Sequence, residues 1–157
     1  MYPSPSLADT FPAITTTIGD GMKIAVCLDD KNGMMFARRR QSMDSLLRRD
    51  LLNMTSGSRL WMNAYSAGQF TEPAAHIQVD EQFLLKAPEG DWCFVENADL
   101  AAVADKVTQI AIYRWNRVYP SDRKFPEELF LNRWKMVQVR EFPGSSHERI
   151  TLEVYEL

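Results

Sequence analysis

The chain has 157 residues, a length that suits one domain built around one hydrophobic core. Apolar residues make up 45% of it, and the net charge of −3 gives no global attraction toward nucleic acid or acidic membranes. The sequence has no apolar run near the roughly 20 residues of a membrane span, and its N-terminus does not resemble a signal peptide. Cys27 and Cys93 lie in apolar strand-like runs, which predicts buried free thiols. These features predict a cytoplasmic protein without membrane contact.

The first 21 residues are rich in proline, serine and threonine and show no sustained periodicity. This composition predicts a flexible N-terminal extension, followed by a single domain over residues 22–157. An alternative is that residues 13–18 add an edge strand to that domain.

Residues 23–28 form a short apolar run that predicts a first core strand, and Asn32-Gly33 ends the turn that follows. Residues 34–41 have no periodicity and are predicted to be an irregular loop. Ser42 is the predicted N-cap of a helix that runs to about residue 54, with Asp44 in its first turn.

Short strands and helical turns are predicted to alternate after this helix. The predicted strands are 59–63, 76–79 and 91–96, and the predicted helical segments are 64–70, 80–85 and 98–105. Such an order of elements favours an α/β fold.

The last third of the chain contains three predicted strands, at residues 107–115, 133–142 and 149–156. The first is almost continuously apolar, as in a strand buried on both faces. The last has a mostly alternating pattern, which indicates one wet face and a place near an edge of the sheet. Residues 142–146 predict the connection of an antiparallel hairpin. The sheet is therefore expected to be mixed.

From about residue 22 to residue 157 the sequence resembles dihydrofolate reductases. The motifs that carry the resemblance are MKIAVCLDDKNGM, MDSLLRRDLL, SRLWMNAYS, DWCFVENADL, Ala104-Asp105, Asp122, Phe125-Pro126-Glu127, Trp134, Val137 and Val154-Tyr155-Glu156. The resemblance implies a three-layer α/β fold. Its central sheet would be mixed and mostly parallel, with an antiparallel C-terminal strand and flanking helices.

The same resemblance implies a catalytic role for Asp44, which matches the family's carboxylate that binds the pterin ring through two parallel hydrogen bonds. The alternative is a favourable acid in a first helical turn. The family's phosphate-binding Gly-Arg-x-Thr turn is replaced by Asn63-Ala64-Tyr65-Ser66. Its Gly-Gly pair is replaced by Glu96-Asn97, where an acid would repel a pyrophosphate. These departures argue against ordinary NADPH-dependent folate reduction, and the sequence identifies no other cofactor.

Ligand-binding residues are predicted around the mouth of the family's cleft. They are Arg38, Arg39, Arg40, Gln41, Asn63, Tyr65, Ser66 and Trp115, with Asn116, Arg117 and Tyr119 beside the last. Arginines bind phosphate or carboxylate, and the aromatic side chains suit a stacking pocket for a planar ligand. The alternative is that the arginines form a solvated surface and that the aromatics belong to the core and its rim.

The segments DDKNGM, RRQS, LWMN and GSSHE also resemble short bacterial proteins that carry the label ribonuclease Z. That enzyme needs a cluster of histidine and aspartate ligands for two zinc ions, whereas this chain has only His76 and His147. The sequence therefore predicts no metal site. In GSSHE, contiguous serine and histidine in a turn do not supply the geometry of a hydrolytic triad.

Three functions remain open at this point. The first is a binding or interaction protein on a reductase-like scaffold, with a small anionic or planar ligand near Asp44 and the arginines. The second is a divergent oxidoreductase that uses NADPH in an altered pose. The third is a nucleic-acid-processing protein acting through its basic loop, although the acidic chain makes nucleic acid the less favoured partner.

Overall fold

The computed structural model describes residues 21–130 and 135–157. The predicted extension, apart from Gly21, and the alternative edge strand at 13–18 lie outside the described residues, as does Trp134. Among the described residues, no helix is long and apolar enough to cross a membrane.

The described elements follow one another in an alternating order. They are β1 (Met22–Leu28), β2 (Gly33–Phe36), β3 (Arg39–Arg40), α1 (Ser45–Met54), β4 (Leu60–Met62), α2 (Ala64–Ala67), β5 (Ile77–Val79), α3 (Phe83–Lys86), β6 (Trp92–Phe94), β7 (Val107–Arg114), β8 (Arg123–Lys124), β9 (Lys135–Phe142) and β10 (Ile150–Glu156). Short 3₁₀ turns cover Ala104–Lys106 and Glu127–Phe130.

Seven strands form the central sheet in the order β5-β4-β6-β1-β7-β10-β9. Neighbouring strands are parallel from β5 to β7, and β10 runs antiparallel to both β7 and β9. The predicted α/β class with a mixed, mostly parallel sheet is confirmed. The prediction that residues 107–115 are buried on both faces is confirmed for β7, where only Thr108 and Arg114 are partly exposed. The strand β10 lies one place in from the edge, which β9 occupies.

A hydrophobic layer covers each face of this sheet. Ile24 and Val26 of β1 point into one layer, together with Ile110 and Ile112 of β7. The other layer contains Tyr113 and is closed by the apolar face of α1, including Leu47 and Leu51. The alternating direction of side chains along each strand supplies both layers from the same segments.

Three predictions of local structure were wrong. Residues 34–41 are not irregular, because β2 and β3 pair there as a hairpin with Phe36 opposite Arg39. The helix α1 is capped by Asp44 rather than Ser42. The predicted helix at 98–105 is reduced to turns. There the Asp99 carboxylate accepts the backbone N–H of Ala101 at 2.9 Å, and such local bonds compete with a helix.

The hairpin between β2 and β3 has a two-residue turn with an unfavourable backbone. Ala37 has φ 52° and Arg38 has φ 63°, so both lie in the left-handed region. Such turns are usually made by asparagine and glycine, because a side chain with a Cβ is strained there. The turn is held by Asp122, whose carboxylate accepts the N–H of Ala37 at 3.1 Å.

We expect Ala37→Gly to stabilise the protein. Removal of the Cβ relieves about 1–2 kcal/mol of left-handed strain, offset by about 0.5–1 kcal/mol of additional chain entropy in the unfolded state. The free energy of unfolding should therefore rise by about 0.5–1 kcal/mol in a urea titration. The matched control is Ala102→Gly, at an exposed alanine that is not among the described residues with positive φ. It should lose up to about 1 kcal/mol. Equal losses in both variants would contradict the strain assigned to the turn.

Candidate functional site

The polar residues singled out above gather at one edge of the sheet, beyond the carboxyl ends of β1, β6 and β7. This edge is the usual place for ligand sites in open α/β sheets. Two groups of interacting side chains occupy it. The first is the Glu96 cluster, made of Arg40, Tyr65, Ser66, Gln69 and Glu96. The second is the Asp44 cluster, made of Asp44, Tyr119, Ser145, Ser146 and His147.

The Glu96 cluster is centred on a carboxylate that is 8% exposed. Arg40 donates to both of its oxygens, with Nε 2.9 Å from Oε2 and Nη2 3.1 Å from Oε1. Ser66 Oγ and Gln69 Nε2 donate to the same carboxylate at 2.8 and 3.1 Å. The two-point contact between guanidinium and carboxylate is the strong form of this ion pair.

Arg40 is fixed on its other sides by Tyr65. The tyrosine ring lies 4.3 Å from the centre of the guanidinium, and its hydroxyl accepts the backbone N–H of Arg40 at 2.7 Å. The backbone oxygen of Tyr65 accepts a third bond from Arg40 Nη2 at 3.0 Å. Next to it, Asn63 donates to Asn97 Oδ1 at 2.8 Å. The chain's own side chains thus fill the space between the ends of β1 and β6, where a cavity of only about 10 Å³ remains.

In the Asp44 cluster, one carboxylate joins the start of α1 to the loop between β9 and β10. It accepts the N–H groups of Leu46 and Leu47, which caps the helix, and the N–H groups of Ser145, Ser146 and His147, together with the Ser146 hydroxyl. The Asp44 side chain has no exposed surface. A Cβ on Gly144 would clash with this carboxylate, so glycine is required for the close approach.

The hydrogen bonds change the acidity of Asp44. Burial alone would raise the pKa of its carboxyl group, but the N–H groups of Ser145, Ser146 and Leu47 stabilise the ionised form and hold the pKa well below its usual range. The carboxylate is therefore ionised at neutral pH.

His147 is buried against the indole of Trp115, with ring centroids 4.6 Å apart and an angle of 27° between the planes. Its Nε2 lies 2.7 Å from the Tyr119 hydroxyl, and its Nδ1 lies 2.9 Å from Ser146 Oγ and 3.4 Å from Asp44 Oδ2. Ser146 Oγ also lies 2.6 Å from the backbone oxygen of Met43, so its single hydroxyl proton is shared between this oxygen and the Asp44 carboxylate. These contacts place serine, histidine and aspartate together. However, the N–H groups of Ser145, Ser146 and His147 point at Asp44 and form no oxyanion hole.

Beside this cluster lies a cavity of about 710 Å³, which we call the Trp115 pocket. Its walls come from the segment after β7, the end of β9 and the β9–β10 loop, and they include Trp115, Asn116, Arg117, Phe142, His147 and Arg149. Asn116 has φ 60°, and its side-chain amide donates to Arg149 O at 3.1 Å and Thr151 Oγ1 at 3.0 Å. The amide thus fixes the two walls to each other.

The predicted ligand-binding residues divide between different places. Arg40, Asn63, Tyr65 and Ser66 converge at or beside the Glu96 cluster, and Asp44 and Trp115 meet around His147. Arg38 and Arg39 are exposed on the β2–β3 hairpin. Gln41 donates to Asp29 Oδ2 and to Pro120 O.

Neither Phe142 nor Arg149 was identified from the sequence as a wall of a pocket. The predicted hairpin connection at residues 142–146 includes Phe142 and ends three residues before Arg149. Both predicted free cysteines are confirmed as free, with Cys93 buried and Cys27 partly exposed. Burial, with a smaller contribution from the charge of Asp91, raises the pKa of Cys93 to about 12. Among the described residues, no group of three or more histidine, cysteine, aspartate or glutamate side chains is placed to hold a metal ion.

No protein-family model matches the chain. No curated protein sequence matches it either. Among solved structures, it is similar to the dihydrofolate reductase from Enterococcus faecalis complexed with NADP(H) and RAB-propyl, with a TM-score of 0.62. The match covers 88% of this chain and 96% of that chain at 8% sequence identity. The chain therefore has a dihydrofolate-reductase-like α/β fold, and at this identity the likeness extends to the fold alone.

We expect Asp44→Asn to destabilise the protein by about 3 kcal/mol, because an amide cannot accept the bonds made to both oxygens and leaves buried N–H groups unpaired. Asp105→Asn, at an exposed acid, is the control and should change stability by less than about 0.5 kcal/mol.

The pH dependence gives a second readout of the same variant. The folded-state pKa of Asp44 lies below the unfolded value of about 3.9, so its stabilisation is complete above about pH 4 and is lost as the pH falls through the folded value. The stability gap between the wild type and Asp44→Asn should narrow below about pH 4. A gap that stays constant down to pH 2 would contradict the role of the charge.

We expect Arg40→Ala to lower the free energy of unfolding by about 3 kcal/mol, because it leaves the buried Glu96 without its cation. Arg149→Ala is the matched control. Arg149 and Glu141 are 3.7 Å apart and more than half exposed, so that loss should stay below about 1 kcal/mol. Urea titrations of the two variants measure the difference. If Arg40→Ala lost no more unfolding free energy than Arg149→Ala, the stabilising role assigned to the Glu96 cluster would be wrong.

Proposed function

We propose that this chain is a small-molecule-binding protein that holds a planar anion in the Trp115 pocket, without ordinary folate reductase activity. The main support for this proposal is the position of the cavities in the structure. The Trp115 pocket, of about 710 Å³, is open at the carboxyl edge of the sheet, while Arg40 and Glu96 fill the space between β1 and β6.

The shape and lining of the Trp115 pocket support a planar ligand. Its volume falls within the roughly 300–1,000 Å³ of small-molecule sites. The half-buried ring of Phe142 is its most open aromatic surface, and the stacked pair of Trp115 and His147, 4% and 7% exposed, forms a rigid inner wall. Flat apolar walls of this kind favour flat ligands, since aromatic rings pack against each other in offset or edge-on arrangements.

The charges of the pocket support an anionic group on the ligand. Arg117 is exposed and has no salt bridge with any described residue. Among the described residues, the guanidinium of Arg149 has one salt bridge, the long contact of 3.7 Å to Glu141. A guanidinium with open donors binds a carboxylate, sulfonate or phosphate through two parallel hydrogen bonds. Glu141 and Glu148 also line the pocket, so a ligand with one negative charge fits better than a polyanion.

The alternative function is a divergent NADPH-dependent oxidoreductase, with Asp44 orienting the substrate. The fold favours this reading, because the similar Enterococcus faecalis enzyme was solved with NADP(H). Two contacts weigh against it. Glu96 and Arg40 occupy the strand ends where Glu96-Asn97 replaces the family's Gly-Gly pair. In addition, both oxygens of Asp44 already accept bonds from the chain itself.

A nucleic-acid-processing role of the ribonuclease Z type has less support. Asp122 and Asp29 lie near the basic hairpin, but among the described residues no group of three or more histidine, cysteine, aspartate or glutamate side chains is placed to hold the zinc ions that such chemistry requires. We place the protein in the cytoplasm, as its two free thiols favour a reducing compartment.

We expect the protein to bind planar aromatic sulfonates and carboxylates, with 8-anilinonaphthalene-1-sulfonate as a fluorescent probe. Arg117→Ala should weaken the binding of this probe about tenfold, the loss of one hydrogen-bonded charge. Arg59→Ala is the control, since Arg59 is exposed just before β4, at the opposite edge of the sheet. Cooperative urea unfolding of each variant establishes that the probe reports a folded protein. Equal affinity of both variants for the probe would exclude the Trp115 pocket.

The same preparation separates the two candidate functions. The protein should not oxidise NADPH in the presence of dihydrofolate, measured by the loss of NADPH absorbance. Turnover is the discriminating readout, because a nucleotide or an aromatic carboxylate that merely binds the folded protein also adds stability. Oxidation of NADPH that depends on dihydrofolate would overturn the proposal in favour of the oxidoreductase. Turnover of dihydrofolate would then have to be lost in Asp44→Asn.

A further inference from the structure

A second open cavity, about 500 Å³ in volume, lies outside the Trp115 pocket. Phe36, Arg39 and Gln41 of the β2–β3 hairpin line one side of it, and Tyr119 and Pro120 line the other. We call it the hairpin groove. It shares no lining residue with the Trp115 pocket, so a ligand in one does not occupy the other.

The charge of the hairpin groove differs from that of the Trp115 pocket. Arg39 lines it and Arg38 stands at the turn beside it. Both are exposed, and neither has a salt bridge with a described residue. None of the described residues that line the groove carries a carboxylate. The two guanidiniums are therefore available for a group with more than one negative charge, such as a phosphate or diphosphate.

The groove also contains two aromatic rings. Phe36 is 48% exposed and is the cross-strand partner of Arg39, so its ring and the guanidinium stand side by side. Across the groove, the backbone of Tyr119 is held by Asp29 Oδ2 at 3.1 Å and its hydroxyl by His147 at 2.7 Å. An exposed ring opposite a fixed ring, next to open arginines, is the combination that binds a base and its phosphates together.

The backbone of the turn gives a further reason to connect the arginines with binding. Arg38 keeps a positive φ of 63° directly after Ala37 at 52°, where glycine or asparagine would be relaxed. Asp122 holds the turn through the N–H of Ala37, and Tyr65 holds β3 through the N–H of Arg40. A strained turn kept rigid by its neighbours fixes the backbone of both arginines, so that on binding only their side-chain rotamers have to be ordered.

We propose that the hairpin groove binds a nucleotide, with the phosphates on Arg38 and Arg39 and the base between Phe36 and Tyr119. This site is distinct from the Trp115 pocket and the planar anion assigned to it: the two cavities share no lining residue, and they adjoin where the Tyr119 hydroxyl contacts His147.

The test is a calorimetric titration of the full chain with adenosine 5′-diphosphate, inorganic pyrophosphate and adenosine. The diphosphate should bind at least about tenfold more tightly than pyrophosphate or adenosine alone, because it uses both halves of the groove. Arg39→Ala should weaken it about tenfold, and Phe36→Ala several-fold. Arg49→Ala, at an exposed arginine of α1, should leave it unchanged.

A matched pair at the turn separates the guanidinium from the strain. Ala37→Gly and Arg38→Gly both relieve a left-handed residue, but only the second removes a charge. The proposal requires that Arg38→Gly lose diphosphate affinity and that Ala37→Gly keep it.

Three outcomes would overturn the proposal. Pyrophosphate binding as tightly as the diphosphate would leave an anion site without a base. Affinity that is unaffected by Arg39→Ala would place the nucleotide elsewhere. Affinity for single-stranded oligonucleotides that exceeds that for the diphosphate and grows with their length would make the hairpin a nucleic-acid surface instead.

Discussion

The carboxylate of Asp44 is the contact on which the shape of the proposed site depends. It takes N–H groups from two separate places, the first turn of α1 and the loop between β9 and β10, about 100 residues apart in the chain. Since both sets of donors are aimed at one pair of oxygens, the loop cannot shift without leaving buried N–H groups unpaired. The position of His147 against Trp115 follows from this, and with it the inner wall of the Trp115 pocket.

A second carboxylate fastens α1 to the same hairpin. Both carboxylate oxygens of Asp50 accept hydrogen bonds from Arg140 Nη2 of β9, each at 2.9 Å, and the Tyr113 hydroxyl donates to Asp50 Oδ2 at 2.6 Å. Burial raises the pKa of Asp50, and Arg140 and Tyr113 oppose that rise. Asp44, one residue before the helix, thus ties it to the β9–β10 loop, and Asp50, halfway along it, ties it to β7 and β9. Apolar packing of Leu47 and Leu51 places α1 on the sheet, and these two carboxylates fix its direction.

The fold was predictable because its information is local and periodic. The buried run of β7 and the turn at Gly144 could be read from neighbouring residues, and the resemblance to dihydrofolate reductases gave their order. The hairpin of β2 and β3 was not predictable, since Ala37-Arg38 is an improbable pair for a turn that needs two positive φ angles. Its pairing depends on β8 and on the Asp122 carboxylate, which lie more than 80 residues away.

The site was harder to predict than the fold, because charged residues that are far apart in the sequence form ion pairs in the folded chain. Arg40 reads as a ligand-binding arginine and Glu96 as an acid that repels phosphate, yet they are 2.9 Å apart and neutralise one another. No local pattern joins positions separated by 56 residues. Arg39, the residue before Arg40, lies on the opposite face of β3, because neighbouring residues of a strand alternate between faces. It therefore stays exposed while Arg40 is enclosed. The alternation of side chains along β3 therefore gives neighbouring arginines different roles: Arg40 pairs with Glu96, and Arg39 is open to a ligand. For this reason, one chemical role cannot be assigned to all three consecutive arginines.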